Sequence, residues 1–427
     1  MTLIECFTAA HIDNIAACLR LHPEKLVFVG DAAAMEKPVA RYKELFTGRD
    51  LKTYVDTCPV DEKDCEELQS AITRLIRAAE ECVIDMTGGE PVVALAIGLA
   101  LANLEEEKRK RVRVEWYDHE TDMIVDCIND NRRRPAKRVH LKVKELIKLH
   151  GGDIYAPKFQ LPADASLQEM SRLWRIMAEM PKQWNDAVGL LRRFEKYSES
   201  EDYVCVDLPR LWGIVPELEA RENDIRELVE KLEKEGIITD QSSHRYLEYE
   251  YNSAFLRQCI YTQGNTLEIK TLLEGKAAKV DGVPLFRDGQ MGVRIDWDGK
   301  IYPYPQTFSG TNNEIDVVLM HGTAPLFISC KNGDLKTEEL YKLHTVATRF
   351  GGPYARKMLL VSNMDQKDAV TAQALVGRAW DMDIFLVPDV AKLSGDQWQE
   401  MFRIPFSANP KEAMEAFLKT IKKGANV

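Results

Sequence analysis

Asn313-Glu314-Ile315-Asp316-Val317-Val318-Leu319-Met320 and Pro325-Leu326-Phe327-Ile328-Ser329-Cys330-Lys331, joined by His321-Gly322-Thr323-Ala324, decide how the C-terminal part of this chain is read. Two apolar runs flank a short turn, so both read as central strands of one hairpin. Each nevertheless carries charge at one end, and a buried carboxylate or ammonium is costly unless it is paired or bound to metal. Side chains alternate along a strand, so Glu314 and Asp316 share one face, and Phe327, Ser329 and Lys331 share one. A register setting residue 316 opposite 329 or 331 brings Asp316 and Lys331 together; residue 316 opposite 330 separates them.

An acid on one strand and a lysine ending the next is an arrangement suited to phosphodiester hydrolysis. The carboxylate can hold a divalent cation against the scissile phosphate. The lysine can orient or deprotonate the attacking water and offset developing charge. A further acid comes from the preceding helix, where Gly264-Asn265-Thr266-Leu267-Glu268 supplies Glu268. The other reading of the same residues is an Asp316–Lys331 ion pair in an ordinary sheet.

Around this hairpin, residues 256–427 read as a mixed α/β domain. A helix near Thr262–Leu273 precedes strands at Gly292–Trp297, Glu314–Met320 and Pro325–Lys331. A helix (Lys336–Phe350), a strand (Lys357–Ser362), a helix (Ala369–Ala379) and a strand (Asp383–Val387) follow. At the other end, residues 1–140 alternate short apolar runs with helical patterns, as a Rossmann-like, doubly wound sheet does. The expected strands are Leu3–Phe7, Leu26–Gly30, Thr53–Val55, Val83–Met86 and Val112–Tyr117. The expected helices are Ile12–Leu21, Met35–Phe46, Asp64–Ala79 and Pro91–Leu104.

Asn131–Lys144 is dense in Arg and Lys, either a solvated linker or a phosphate-facing stretch. Residues 141–255 form a helical connector. Within it, Glu219–Gly236, a helix stopped by glycine and followed by a short strand, is winged-helix-like. Its acidity (Glu217, Glu219, Glu222, Glu227, Glu230, Glu233, Glu235) favours a spacer over a DNA reader.

Composition narrows the class. The chain has 427 residues, 45% of them hydrophobic, enough for two or three cores. No run approaches the ~18 apolar residues of a membrane span. Met1–Phe7 lacks the basic flank and cleavage site of a signal peptide, so a cytoplasmic protein without a membrane partner is expected. The nine cysteines are scattered and read as reduced thiols. A net charge of −11 argues against nonspecific coating of nucleic acid, but a nuclease needs only local positive charge.

Glu268, Asn313-Glu314-Ile315-Asp316 and Phe327-Ile328-Ser329-Cys330-Lys331 together resemble the PD-(D/E)xK signature of the restriction-endonuclease-like superfamily. The likeness is greatest to the branch found in CRISPR-associated ancillary nucleases activated by cyclic oligoadenylate. The resemblance implies that Asp316 binds metal, Lys331 is the catalytic lysine and Glu268 is the helix-borne acid. It departs at Ser329, where the superfamily carries Glu or Asp. Ser329 thus stands where a metal-shell acid belongs; either Glu268 or Glu314 substitutes, or activity is weakened. Glu338 and Lys342 on the following helix are candidate supports, or an exposed ion pair.

In the front half, Asp85-Met86-Thr87-Gly88-Gly89 passes from strand through a glycine turn into a helix with Pro91 at its start. Such a turn lets backbone approach a ligand, and the helix N-terminus offers N–H groups to phosphate; a tight turn with no ligand is the alternative. The motif is similar to the Asn/Asp-x-Thr-Gly-Gly loop of the CARF domain, the Rossmann-like cyclic-oligoadenylate sensor of type III CRISPR systems. The resemblance implies ligand contacts from Met86, Thr87, Gly88 and Gly89. It implies others from the first strand-to-helix loop, Thr8, Ala10 and His11, with Asn14 one turn into the helix. His11 reads equally as a helix-cap residue. The family often continues with Thr-Lys; here Glu90-Pro91 follows, leaving recognition to backbone and other loops.

The two resemblances together imply a homodimeric antiviral effector. Two sensor domains would bind one cyclic oligoadenylate, the tetramer being the expected ring, and two PD-(D/E)xK domains would cut single-stranded DNA and RNA with Mg²⁺ or Mn²⁺. Nicking of duplex DNA is a further expectation. Two competing readings remain at this level. One is a cyclic-nucleotide-controlled DNA-binding regulator with a silent nuclease domain. The other is a sequence-directed endonuclease whose front domain only dimerises.

Overall fold

The computed structural model describes residues 1–119, 121–128, 132–155, 161–162, 165–200, 203–261, 266–299, 312–332, 335–364 and 368–424. Asn131, Thr262, Gly264 and Asn265, named above, lie outside these residues.

The front half is built as the alternation predicts. β1 (Thr2–Cys6), α1 (Asp13–Leu21), β2 (Lys25–Gly30), α2 (Ala32–Gly48), β3 (Tyr54–Pro59), α3 (Cys65–Ala78), β4 (Cys82–Asp85) and α4 (Pro91–Ala102) follow in turn. A short α5 (Glu106–Arg109) and β5 (Val112–Asp118) come next. Strands β1, β2 and β4 are buried along nearly their whole length because helices cover both faces, and apolar residues dominate them apart from the buried Glu5 and Asp85. Side chains of Asp31 and Asp64 cap α2 and α3, and Pro91 opens α4 where its missing N–H costs nothing.

Two strands not expected from the sequence extend the sheet, β6 (Met123–Asp126) antiparallel to β5 and β7 (Arg133–Pro135) antiparallel to β6. The order is β3-β2-β1-β4-β5-β6-β7. Part of the basic stretch is therefore an edge strand, where charge discourages further pairing. Arg134 pairs with Glu115 at 2.5 Å, and Arg138 pairs with Asp122.

α6 (Val143–Leu149) and β8 (Asp153–Ile154) lead into the connector: α7 (Leu167–Glu179), α8 (Trp184–Glu195), β9 (Tyr203–Asp207), α9 (Leu208–Ile214) and α10 (Glu222–Lys234). Gly236, at φ +66°, ends α10, and the hairpin of β10 (Ile238–Asp240) and β11 (Tyr246–Tyr251) pairs with β9. This is the helix–glycine–hairpin order expected of a winged-helix-like unit.

The C-terminal part contains α11 (Ala254–Tyr261), α12 (Thr266–Ala277), a small hairpin of β12 (Lys279–Val280) and β13 (Val283–Pro284), then β14 (Asp288–Asp296), β15 (Asn312–His321) and β16 (Ala324–Lys331). α13 (Thr337–Gly351), β17 (Arg356–Val361), α14 (Ala369–Asp381), β18 (Ile384–Val387), α15 (Gly395–Arg403) and α16 (Pro410–Gly424) complete it. The sheet runs β18-β17-β16-β15-β14-β8.

Two cores sandwich this sheet. Val317, Leu319, Leu326 and Ile328 pack with connector residues such as Trp174, Leu228 and Tyr249 and with Trp398 of α15. Val318, Met320 and Phe327 pack with Leu340 and Phe350 of α13, with Leu146 of α6, and with Leu3, Phe28 and Phe46 of the front sheet. The front and back halves share apolar interior. Among the described residues no helix is long and apolar enough to cross a membrane.

Candidate active site and front-sheet crevice

The β15–β16 register runs from His321↔Ala324 to Val317↔Ile328. One further step sets Asp316 opposite Ser329, the register that brings the acid and the lysine together. Lys331 Nζ lies 4.0 Å from Asp316 Oδ2. Ser329 Oγ donates to Asp316 Oδ2 at 3.0 Å and the Cys330 N–H donates to the same oxygen at 2.6 Å. The β14–β15 ladder skips Gly292 and Asp316, with Gly292 at φ +57°. This break frees the aspartate to reach the Cys330 amide.

Glu268 stands in the first turn of α12. Burial, then Asp316 and Glu314, push its carboxyl up to about 9, against Lys331, which lowers it. Burial likewise raises Asp316, opposed by Lys331 and by its two hydrogen bonds. Acids that repel one another in a water-poor site are the donor set that a hard divalent cation neutralises. Among the described residues no three His, Cys, Asp or Glu side chains already close into a metal cage. The residues fit a cation as clustered oxygen donors only partly offset by Lys331, rather than as a finished cage.

One residue at this site was missed by the sequence reading. Glu339, in the first turn of α13, places Oε2 3.0 Å from Lys331 Nζ. Its neighbour Glu338, the candidate from sequence, is exposed. Although burial alone would lower it, Asp316 and then Glu339 hold the Lys331 ammonium above its ordinary pKa.

In the front sheet the strand order reverses between β1 and β4, so the loops following them flank a crevice at the carboxyl ends of the strands. Residues 7–12 and 86–90 are these loops. Asn14 is fully buried, and its amide holds the Thr8 N–H and C=O at 2.8 Å each and meets Tyr42 Oη. Thr8 Oγ1 in turn accepts from the Ala10 N–H at 3.0 Å. Thr87 is buried; Asp85 Oδ1 accepts from its N–H and hydroxyl, and its Oγ1 accepts from the Tyr117 N–H. Asn14 and Thr87 thus shape the loops, whereas Gly88 and Gly89 are exposed on the turn closed by Gly89 N–H to Met86 C=O. His11 turns toward α2 and α6, with Nδ1 2.7 Å from Tyr42 Oη and its ring 5.1 Å from that of His150. Burial, aided by His150, Arg41 and Arg349, lowers it to about 3, so it is neutral.

The crevice and the hairpin are joined through side chains that no local motif announces. A Cβ on Gly88, whose φ is +73°, would lie 2.3 Å from Asp13 Oδ2. Asp13 opens α1 and its Oδ1 accepts from Tyr354 Oη at 2.7 Å and lies 3.0 Å from His119 Nε2. The His119 ring stacks at 4.2 Å on Tyr354, and its Nδ1 lies 3.4 Å from Thr323 Oγ1 in the hairpin turn. On the other side of that turn Arg138 Nη1 meets His321 Nε2 at 2.8 Å, and the Leu141 N–H donates to Gly322 C=O. The tip of the hairpin that carries Asp316 and Lys331 is therefore held by the front half.

No family model and no curated protein matches the chain in sequence. Solved structures do match it in shape. Protein VC1899 from Vibrio cholerae superimposes with a TM-score of 0.68 over 98% of each chain at 14% identity. Can2 from Sulfobacillus thermosulfidooxidans, solved in complex with cyclic tetra-adenylate, superimposes with a TM-score of 0.61 over 95% of this chain and 99% of that one, at 16% identity. At such identities the likeness is one of fold. Over nearly its whole length the chain shares the fold of VC1899 and Can2.

Proposed function

We propose that this chain is a cyclic-oligoadenylate-activated, metal-dependent nuclease of type III CRISPR antiviral defence that acts as a homodimer on single-stranded DNA and RNA. The observation that carries the reading is the grip of the sensor half on the turn of the Asp316–Lys331 hairpin. A ligand that repacks the loops at Gly88 would bear on Asp13, and through Tyr354 and His119 on the hairpin. Such a linkage needs the ligand to favour one arrangement over another. The likeness in fold to Can2, which was solved with cyclic tetra-adenylate, supports that ring as activator.

In the nuclease site, Mg²⁺ or Mn²⁺ would be held by Glu268, Asp316 and Glu314. It would supply positive charge to the scissile phosphate and acidify a bound water. Lys331, kept as an ammonium by its two acid neighbours, offsets charge that develops on the phosphate. Ser329 contributes a donor to Asp316 and orients it.

A second copy is supported by α4, whose outward residues Leu95 and Leu99 are 57% and 41% exposed. A helix apolar on all sides is normally covered. In a dimer, two glycine turns at the N-termini of two such helices would face one symmetric ring.

The test is cleavage of fluorescent single-stranded DNA and RNA with Mn²⁺, with and without cyclic tetra-adenylate. Cleavage only in its presence supports the proposal. Binding to one duplex sequence without cleavage under any ring size or metal would favour the regulator with a silent nuclease domain, the reading that Ser329 keeps in play.

A further inference from the structure

The proposed nuclease function leaves one question open: what fixes the Lys331 ammonium in place when Ser329, two residues before it, carries no charge. Its hydroxyl is committed to Asp316 Oδ2 at 3.0 Å. Asp316 itself lies 4.0 Å from Lys331 Nζ, too far for a direct hydrogen bond. An ammonium on a four-carbon stem that lacks a near partner samples many rotamers, and an unfixed charge is a poor electrostatic catalyst. The short contact comes from the next helix. Glu339 Oε2 is 3.0 Å from Lys331 Nζ, and both side chains are about three-quarters shielded from solvent.

The local fold explains why this residue reaches the lysine. β16 ends at Lys331 and α13 begins at Thr337, so the first turn of α13 returns beside the strand end. Leu340 and Leu343 of α13 are buried against the sheet. Successive helix residues are turned by about 100°, so anchoring Leu340 and Leu343 directs Glu339 along the sheet margin while Glu338 faces solvent. A carboxylate in the first turn is also favoured by the helix dipole.

We infer that Glu339 is the positioning residue for Lys331, holding its ammonium in place from the first turn of α13. The inference rests on the proposed nuclease reading for its consequence in catalysis, but the ion pair itself can be tested without it. Glu339 orients the ammonium toward the Asp316–Glu268 side of the site and leaves those carboxyls free for a cation. It is not itself assigned to the metal shell.

The experiment uses the full-length chain and the variants Glu339→Gln, Glu339→Asp and Ser329→Ala. Activated cleavage gives kcat and KM, calorimetry with Mn²⁺ alone gives metal affinity, and mass spectrometry follows acylation of Lys331 by an amine-reactive reagent. Glu339→Gln is expected to lower kcat by about 10- to 100-fold, the scale of a misplaced catalytic group. KM, Mn²⁺ affinity and melting temperature should stay near those of the parent, and Glu339→Asp should recover part of the rate. Lys331 should acylate several-fold faster in Glu339→Gln than in the parent or in Ser329→Ala. Unchanged acylation of Lys331 would overturn the inference whether or not the chain cleaves nucleic acid. Loss of Mn²⁺ affinity along with kcat would also overturn it, making Glu339 a metal ligand. If the parent chain cleaves nothing with activator while Lys331 still acylates faster in Glu339→Gln, the ion pair stands and the nuclease reading fails.

Discussion

Gly88→Ala tests the path from the glycine turn to the C-terminal half. Gly88 sits at φ +73°, where an L-residue costs roughly 1–2 kcal/mol. The added methyl would lie 2.3 Å from Asp13 Oδ2, so the carboxylate must turn away. That movement breaks its 2.7 Å contact with Tyr354, a hydrogen bond to a charged group worth about 1.5–3 kcal/mol. At about 1.4 kcal/mol per factor of ten, opening of the segment at Gly352–Tyr354 should become ~10- to 100-fold easier. Hydrogen exchange read by mass spectrometry on the intact chain measures this directly. Protection should fall in peptides spanning residues 86–90 and also in those spanning 352–356, although more than 250 residues separate them in sequence. Gly98→Ala in α4 is the control: nothing lies within 4 Å of its added methyl, and helix propensity predicts a gain of roughly 0.5–1 kcal/mol. In an Asp13→Ala background the second change at Gly88 should cost less, because only the backbone strain remains. Unaltered exchange at 352–356, with the turn itself perturbed, would refute a mechanical link through Asp13.

Other consequences can be measured independently. Lys331→Ala should reduce activated cleavage by at least about 100-fold while leaving affinity for cyclic tetra-adenylate unchanged, as calorimetry would register. Leu95→Asp with Leu99→Asp should give a monomer in sedimentation and lose activator binding. A dimer that persists would remove α4 from the interface. Burial alone would raise the Glu145 carboxyl, but Arg49 and the Lys142 N–H hold it below its ordinary range. The stability it contributes is therefore present above the ordinary carboxylate pKa and lost as pH falls through the lower folded value. The melting difference between the parent and Glu145→Gln should accordingly shrink on acidification below about pH 4.

The front fold was legible because parallel strands buried on both faces are continuous apolar runs, as Leu26–Gly30 is, and because Asp31, Asp64 and Pro91 mark helix starts. β6 and β7 were hidden by their composition. Arg133 and Arg134 look like linker, and only pairing with β5 through Met123–Asp126 turns them into sheet. At the β15–β16 hairpin, alternation narrowed the register to a choice between bringing Asp316 and Lys331 together and parting them, and the structure adopts the first. Glu339 could not be separated from Glu338 by sequence, since which of two adjacent acids faces inward depends on the rotation of α13 about its buried leucines. Asn14 and Thr87, named for a ligand, also hold backbone, at Thr8 and at Tyr117. A buried side chain with both ends hydrogen-bonded looks the same in sequence as one that awaits a partner. Asp13, His119 and Tyr354 have no local signal, because their meeting is made by the docking of distant segments.

The interior shared by Leu3, Leu146 and Phe327 carries a lesson about how such a chain can respond to a signal. A reporter tethered by a floppy strap can swing freely, and its parts can be exchanged or expressed alone. A chain whose two ends grew around one hydrophobic seam has no such freedom. Cut at residue 140, either fragment would present bare leucine and phenylalanine to water. Any response must then come as a small slide of closely fitted surfaces, or as a change in how one whole molecule meets another.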